Sequence, residues 1–207
     1  KSNKKMIKDC LIINCTGKND TIALKINNKF ILKKLQTNII KYEALSLVVL
    51  DFIREQSITI EHNFSIIVNS GPGSFSGIRI ALAVAKGIQL VKKINIYSYN
   101  TFLLNAAPYL KEQKNIISII KTNNFYYFSE GNVVKSYSFS TPKKLDVSSL
   151  KTTNVLIVIS EDIKNDKIIN SFTKKKVSIA EFDLKNVNEL IENNLLENKL
   201  IKPLYLS

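Results

Sequence analysis

Residues 69–80 read Asn69-Ser70-Gly71-Pro72-Gly73-Ser74-Phe75-Ser76-Gly77-Ile78-Arg79-Ile80, and four of the six glycines in the chain lie between positions 71 and 87. The apolar run Phe64–Val68 before this stretch predicts a buried strand, and Ile78–Lys92 after it predicts a helix. A tight turn from a strand into a helix directs backbone N–H groups outward, and these groups favour an anion. Arg79 adds a positive charge in the first turn. From composition alone, a connection that merely turns the chain explains the stretch equally well.

Two familiar phosphate-binding motifs do not fit this stretch. A Walker A loop needs Gly-Lys-Ser/Thr before its helix, whereas Gly77 is followed by Ile78. The dinucleotide fingerprint needs its third glycine three residues after the second, whereas Gly77 comes four residues after Gly73. No Asp or Glu occurs between His62 and Lys111. The stretch itself therefore supplies neither a Mg²⁺ ligand nor a carboxylate base.

The positive charge of the chain comes almost entirely from lysine. Lys and Arg number 30 against 17 Asp and Glu, which gives a net charge of +13 in 207 residues, yet Arg54 and Arg79 are the only arginines. Specific recognition of phosphates and bases prefers the planar Arg side chain, whereas scattered Lys gives non-specific, salt-sensitive attraction to nucleic acid. We therefore expect at most weak, non-specific contact with RNA.

The numbers of cysteine and histidine residues limit which metal sites and disulfides the chain can form. One His and two Cys rule out most metal-site architectures, and no metal is predicted. Cys10 and Cys15 lie five residues apart on one predicted strand, about 16 Å at roughly 3.3 Å per residue, which is too far for a disulfide. No apolar run approaches the length of a membrane span or of a signal-peptide core. We expect a cytoplasmic protein with no membrane contact.

The order of predicted elements indicates an α/β protein of two halves, residues 1–100 and residues 101–207. In the first half the pattern predicts three strands, a long helix, and a strand–helix–strand unit that crosses over into a parallel pair. These elements are Asp9–Asn14, Thr21–Ile26, Phe30–Leu35, 39–56, Phe64–Val68, Ile78–Lys92 and Ile94–Tyr97. The second half is less regular. Its predicted helices are Thr101–Leu110, Ile163–Phe172 and Val187–Asn198, and its predicted strands are Ile116–Ile120, Phe125–Ser129, Val133–Phe139 and Val155–Ile159.

The helix after the glycine-rich stretch contains Ala81, Ala83, Ala85 and Gly87, so another helix can approach its backbone closely. It is apolar over most of its circumference, which is typical of either a core helix or a helix that binds a partner. Simple burial is the more economical interpretation of these residues on their own.

Residues 71–87 resemble the signature of the TsaB (YeaZ) family, Gly-Pro-Gly-Ser-Phe-Thr-Gly-Leu-Arg followed by a small-residue helix that ends in Ala-Lys-Gly. The similarity is ungapped, with conservative changes at Ser76 and Ile78. Two weaker similarities lie at Glu43–Leu45 and at Lys202–Leu206.

The resemblance implies an actin/sugar-kinase/Hsp70-like fold with two related α/β halves and mixed sheets. It implies a non-catalytic dimerisation subunit for the transferase TsaD, assisted by the ATPase TsaE, in forming threonylcarbamoyladenosine at tRNA position 37, and a homodimer when alone. Family members use the glycine loop and adjacent helices to contact TsaD or a second copy. The implied contacts are the loop residues Gly71, Pro72, Gly73, Ser74, Phe75, Ser76, Gly77 and Arg79, and the helix residues Ile78, Ala81, Leu82 and Ala85.

This chain departs from the family where acids would matter. The family's first strand usually ends in Asp-Thr-Ser, whereas the matching residues here are Asn14-Cys15-Thr16, and the usual mid-chain Asp-Ala-Arg is Lys121-Thr122-Asn123. Asn14 forms hydrogen bonds but carries no charge to hold a metal. We therefore expect no catalytic residues and no cofactor, with a nucleotide conceivable only at the contact with the partner.

Two other classes of function remain open from the residues alone. One is an ATP-dependent phosphotransferase of the same fold that uses the glycine loop for phosphate, and the missing acids disfavour it. The other is a basic RNA-binding module. Phe125-Tyr126-Tyr127-Phe128 resembles a base-stacking platform, and Lys174–Lys176 is a basic run, although a central strand and a solvated turn explain these two more simply.

Overall fold

The computed structural model describes residues 7–35, 44–112, 115–122, 124–133, 137–146, 155–167, 172, 176–198 and 201–206. The chain divides into two units. The first comprises residues 1–100 together with 196–205, and the second comprises residues 101–195 with 206–207. Residues 196–205 thus join the first unit, although the sequence analysis placed them in the second half.

The first unit is built on a five-stranded mixed sheet with the order β3-β2-β1-β4-β5. The strands β1, β2 and β3 form an antiparallel meander, and β1, β4 and β5 are parallel. Asn27 and Asn28 both have positive φ, as a tight hairpin turn between β2 and β3 requires. The strands are β1 Cys10–Asn14, β2 Thr21–Ile26, β3 Lys29–Lys34, β4 Ser65–Asn69 and β5 Asn95–Tyr99.

Two helices of the first unit, α1 (Leu45–Glu55) and α2 (Phe75–Lys92), pack against each other and share one hydrophobic core with the sheet. Leu45, Val49 and Phe52 bury one face of α1, at the spacing of three and four that the sequence predicts. α2 connects β4 to β5 and so completes the predicted strand–helix–strand unit. It thereby places the glycine loop at the carboxyl end of β4.

The second unit repeats this arrangement around a sheet with the order β11-β10-β6-β7-β8. Here β6, β7 and β8 form the antiparallel meander, and β6, β10 and β11 are parallel. The short strand β9 also pairs with β7. The strands are β6 Asn115–Thr122, β7 Phe125–Val133, β8 Tyr137–Phe139, β9 Lys143–Lys144, β10 Leu156–Ser160 and β11 Lys176–Ala180. Its α-helices are α3 Thr101–Ala106 and α4 Val187–Glu192. Both units are therefore mixed α/β sheets of equivalent topology, as predicted.

Several details of the second unit differ from the sequence prediction, among them the end of α3 at Ala106 instead of Leu110 and the unpredicted strand β9. The predicted helix Ile163–Phe172 begins instead with a 3-10 turn, Glu161–Ile163, and residues 168–171 lie outside the described residues. α4 ends at Glu192, because Asn193 and Asn194 leave the helix and Asn194 has a positive φ. Strand β11 was not predicted. It is an edge strand with a single neighbour, so Ile179 is left exposed and the strand lacks a continuous apolar run.

Candidate functional site

The glycine loop runs from Ser70 to Ser74, between β4 and α2. Ser74 caps the helix, because its Oγ accepts a hydrogen bond from the Gly77 N–H at 3.3 Å. α2 therefore begins at Phe75, three residues before the predicted start at Ile78. The cap draws the Ser-Phe-Ser-Gly segment of the motif into the first turn of the helix.

Two glycines of the loop occupy positions where a side chain would collide with other parts of the first unit. Gly71 has a φ of +109°, and a Cβ there would lie 2.9 Å from Ile78 Cδ1 and 3.0 Å from the Leu204 carbonyl oxygen. A Cβ at Gly73 would overlap the Thr16 carbonyl oxygen. The loop is thus packed tightly against the turn that follows β1.

The backbone donors of the loop are largely engaged within the protein. The Ser74 N–H donates to the Thr16 carbonyl at 2.7 Å, and the Gly71 N–H donates to Asn69 Oδ1 at 2.9 Å. In the facing turn, the Gly17 N–H donates to Asp20 Oδ1 at 2.7 Å. A phosphate cradle requires such N–H groups to point at a ligand. Here these N–H groups donate instead to a carbonyl of the facing loop or to a side chain nearby in the sequence.

A buried amide network supports the loop from below. Asn14, at the end of β1, accepts hydrogen bonds at its Oδ1 from Asn69 Nδ2 at 2.8 Å and from the Tyr99 hydroxyl at 3.4 Å. Its own Nδ2 donates to the Asn19 carbonyl at 3.4 Å. Asn14, Asn69 and Tyr99 are at most 1 % exposed. The network joins the ends of β1, β4 and β5 with uncharged groups.

Two buried ionisable groups of the first unit are held in their neutral forms, Tyr99 within this network and Cys10 at the opposite end of β1. Burial raises the pKa of the Tyr99 phenol well above its ordinary value, so the hydroxyl remains a hydrogen-bond donor. Burial likewise raises the pKa of the Cys10 thiol to about 12, which keeps it protonated. Among the described residues, no three His, Cys, Asp or Glu side chains gather as metal ligands would.

The exposed part of the loop region is an aromatic and cationic stack. Phe75 lies 5.2 Å from Tyr205 between ring centroids, and the Arg79 guanidinium lies over the Phe75 ring at 5.0 Å. Phe75, Tyr205, Ser76 and Arg79 are all exposed. Tyr205 reaches this place because the Leu204 N–H donates to the Ser70 carbonyl at 2.7 Å. The sequence analysis did not foresee Tyr205 beside Phe75.

The helix residues predicted to contact a partner lie on the buried face of α2. Ile78, Ala81, Leu82 and Ala85 are between 0 and 5 % exposed and belong to the hydrophobic core of the first unit. Their prediction as interface residues is wrong, because this is the face of α2 that packs on the sheet. Small residues occur on both sides of α2, so their spacing alone does not identify the outward face.

A different set of α1 and α2 residues is exposed. Leu90 and Val91 of α2 are 79 % and 78 % exposed, and Leu47 and Leu50 of α1 are 64 % and 47 % exposed. Ala83 and Gly87 lie seven and three residues before Leu90 and are also exposed. We call Leu47, Leu50, Ala83, Gly87, Leu90 and Val91 the outer face of α1 and α2. Their spacing of three, four and seven marks one side of a helix but does not tell whether that side is buried or exposed.

Comparison with known proteins agrees with the motif similarity. No protein-family model matches the chain. Over 76 residues the chain is 34 % identical to the tRNA threonylcarbamoyladenosine biosynthesis protein TsaB of Buchnera aphidicola subsp. Baizongia pistaciae (strain Bp), a match that covers 35 % of this chain and only about a third (34 %) of that relative. In three dimensions, YeaZ from Pseudomonas aeruginosa superimposes with a TM-score of 0.69 over 96 % of this chain and 100 % of that one, at 14 % identity.

The chain resembles the TsaB (YeaZ) family. A second Pseudomonas aeruginosa structure, described as an uncharacterised protein with similarity to peptidase YEAZ, gives the same TM-score of 0.69 at 13 % identity, over 97 % of this chain and 100 % of that one. Since these identities are low, the two structures establish a shared fold. The predicted α/β class with two related halves and mixed sheets is thereby confirmed, and the two halves share the fold of YeaZ.

None of the helices within the described residues is both long enough and apolar enough to cross a bilayer.

Proposed function

We propose that this chain is a non-catalytic, TsaB-like subunit that supports a TsaD-like transferase in forming threonylcarbamoyladenosine at position 37 of tRNA. The relative from Buchnera is named for the biosynthesis of this nucleoside. The fold shared with YeaZ and the match of residues 71–87 to the family signature support the same role.

The outer face of α1 and α2 is the observation that carries this proposal. It places four large apolar side chains in water on two neighbouring helices, and on α2 two small exposed residues precede them by about one and two turns. An exposed apolar patch of this kind is typical of a protein–protein contact. The exposed alanine and glycine allow a partner helix to approach the backbone closely. We propose a TsaD-like partner on this face, and a second copy of the chain when that partner is absent.

The loop geometry favours a supporting role over phosphoryl transfer. An ATP-dependent phosphotransferase needs free N–H donors for phosphate and an acid that holds Mg²⁺. Here the Ser74 and Gly71 N–H groups are engaged within the protein, and Asn14 stands where the family usually has an acid. We propose that the chain uses no cofactor, that any nucleotide binds at the contact with the partner, and that a TsaE-like ATPase joins the cytoplasmic complex.

Association with the transferase tests the proposal. Leu90→Glu would bury a charge in the contact, so the Kd for the TsaD-like protein of the same organism should rise at least about 30-fold, equivalent to roughly 2 kcal/mol. Leu32→Glu is the matched control, since Leu32 is 40 % exposed on β3, away from the outer face. Isothermal titration calorimetry measures both. Equal affinities for Leu90→Glu and wild type would place the contact elsewhere.

Reconstitution tests the supporting role itself. The chain alone should release no phosphate from ATP above background, whereas the chain with its TsaD-like partner should restore threonylcarbamoyl transfer to tRNA. ATP turnover by the isolated chain that disappears with Asn14→Ala would instead establish the phosphotransferase.

A further inference from the structure

The tip of the β6–β7 hairpin in the second unit carries an exposed aromatic ring. Phe125 begins β7 and is 47 % exposed, whereas Tyr127 and Phe128 in the same strand are only 5 % and 7 % exposed. Burial in the sheet thus accounts for Tyr127 and Phe128, as the simpler interpretation of this aromatic run predicts. It does not account for Phe125.

Two lysines lie beside this ring. Strand β9 pairs with β7 so that Lys144 is opposite Tyr127 and Lys143 is opposite Phe128. The Lys144 ammonium lies over the Phe125 ring, 3.4 Å from its centroid, and both lysines are exposed. Neither forms an ion pair with any carboxylate of the described residues. Lys121, by contrast, is paired with Asp166 at 2.9 Å.

We propose that Phe125, Lys143 and Lys144 bind single-stranded RNA. The ring of Phe125 accepts a base by stacking, and the two ammonium groups bind the adjacent phosphates, Lys144 exchanging its contact with the ring for one with phosphate. Stacking on an aromatic side chain beside a cationic groove is the usual way in which proteins hold single strands. The inference rests on the proposed function for its natural ligand, an unpaired segment of tRNA.

The charges favour RNA over an apolar protein partner. Covering this surface with an apolar partner would remove from water two ammonium groups that form no ion pair within the described part of the chain, and this costs free energy. A nucleotide presents a flat apolar face and a negative charge within one residue, so it matches the ring and the lysines together. A double helix keeps its bases stacked internally, so it satisfies the lysines but not the ring.

The experiment measures binding of the full chain to two fluorescein-labelled probes, a 12-nucleotide unstructured RNA and a 12-base-pair RNA duplex, which has the higher charge density of the two. Phe125→Ala should weaken single-strand binding about 5-fold or more and leave duplex binding unchanged. Phe125→Tyr should retain single-strand binding. Phe75→Ala is the matched control, because Phe75 is a similarly exposed ring in the first unit, with a cation over it, that is already stacked on Tyr205.

Replacing the two lysines should affect RNA binding differently from replacing Phe125. Lys143→Gln with Lys144→Gln should weaken binding to both probes and lower the slope of log affinity against log salt for the single strand by about 1.4, at roughly 0.7 per phosphate contact. Lys92→Gln with Lys93→Gln is the control pair at the end of α2. An equal loss from both pairs, or no selective loss with Phe125→Ala, would overturn the proposal and indicate diffuse charge attraction.

Failure here is distinguishable from failure of the proposed function. These measurements contain no transferase, and Phe125→Ala should bind the TsaD-like protein with the affinity of wild type. Wild-type RNA binding by Phe125→Ala together with intact association would overturn the RNA surface alone. Selective RNA binding without any association with the transferase would overturn the proposed subunit role alone.

Discussion

The ends of the first strands differ sharply between the two units, although the sheets have the same topology. At the end of β1, Asn14 is fully buried and joins Asn69 and Tyr99 in an uncharged network. At the end of β6, Lys121 is partly exposed and forms an ion pair with Asp166, which also accepts a hydrogen bond from Tyr126 at 2.7 Å. The motif comparison places a family acid near both strand ends. A buried brace therefore occupies this place in one unit and a surface ion pair in the other.

The two strand ends differ because one is buried beneath a packed loop and the other is partly exposed to water. In the first unit the loop after β4 packs onto the turn after β1, so the side chain between them is removed from water and must be neutral. In the second unit the loop after β10 is a 3-10 turn, and Lys121 and Asp166 retain side-chain exposures of 34 % and 26 %. A charged side chain at the end of β6 therefore loses little of its hydration on folding. The comparison predicts that isosteric exchanges between Asn and Asp have very different consequences at these two positions.

The largest effect is expected from Asn14→Asp. A carboxylate at this position would be buried without a cationic partner and would face the Asn19 carbonyl, so the free energy of unfolding should fall by about 3 kcal/mol at about pH 7.5. Burial would raise the pKa of the new carboxyl above its unfolded value. Its penalty is therefore small below the unfolded pKa and grows as pH rises through the folded pKa.

Urea unfolding at about pH 4.5 and about pH 7.5 measures this dependence. Asn14→Ala is the uncharged control, since it removes the network without adding a titratable group. An Asn14→Asp variant with the same deficit at both pH values would mean that the carboxyl is not held within the network.

The next effect concerns the contact between the two loops of the first unit. Gly73→Ala should lower the free energy of unfolding by about 1–3 kcal/mol, because its Cβ would overlap the Thr16 carbonyl oxygen and the backbone there has to shift. Gly87→Ala is the matched control within α2. Nothing lies within 4 Å of a Cβ at Gly87, so the helix should gain up to about 1 kcal/mol.

Thermal or urea unfolding of the two glycine variants should thus give changes of opposite sign. A neutral Gly73→Ala would show that the loops do not brace each other, and the comparison between the two strand ends would lose its physical basis.

Local patterns predicted the first unit well because its strands and helices are decided by nearby residues. β1 is an uninterrupted apolar run, and α1 shows apolar residues at helical spacing. The position of the glycine loop between β4 and α2 was likewise predictable. The outward face of α2 was not, because Ala81 and Ala83 differ only in which side of the helix meets the sheet.

The features that the sequence did not predict depend on contacts between residues that are distant in the chain. Asn14 and Asn69 meet because β1 and β4 pair in one parallel register, and 55 residues separate them. Tyr205 reaches Phe75 through the backbone bond from Leu204 to Ser70. Strand β11 forms on β10 although its sequence is mixed. The role of the loop residues in binding a partner stays a prediction.

The smallest effect is expected from Asp166→Asn, the reverse exchange at the end of β6. A partly exposed ion pair contributes little to stability, so the urea midpoint near neutral pH should stay close to that of wild type. Hydrogen bonds from Lys121 and then Tyr126 hold the pKa of Asp166 below its ordinary value. The contribution of this carboxylate to stability is therefore present above the unfolded pKa and is lost as pH falls through the folded one, so any difference between variant and wild type should vanish in acid.

The hydrogen bond to Asp166 is also the largest cause of the raised pKa of Tyr126. An NMR titration should accordingly find the pKa of Tyr126 lowered towards its ordinary value in Asp166→Asn. If Asp166→Asn instead destabilised the chain as strongly as Asn14→Asp, the ion pair would be a brace like the amide network, and the two strand ends would be equivalent after all.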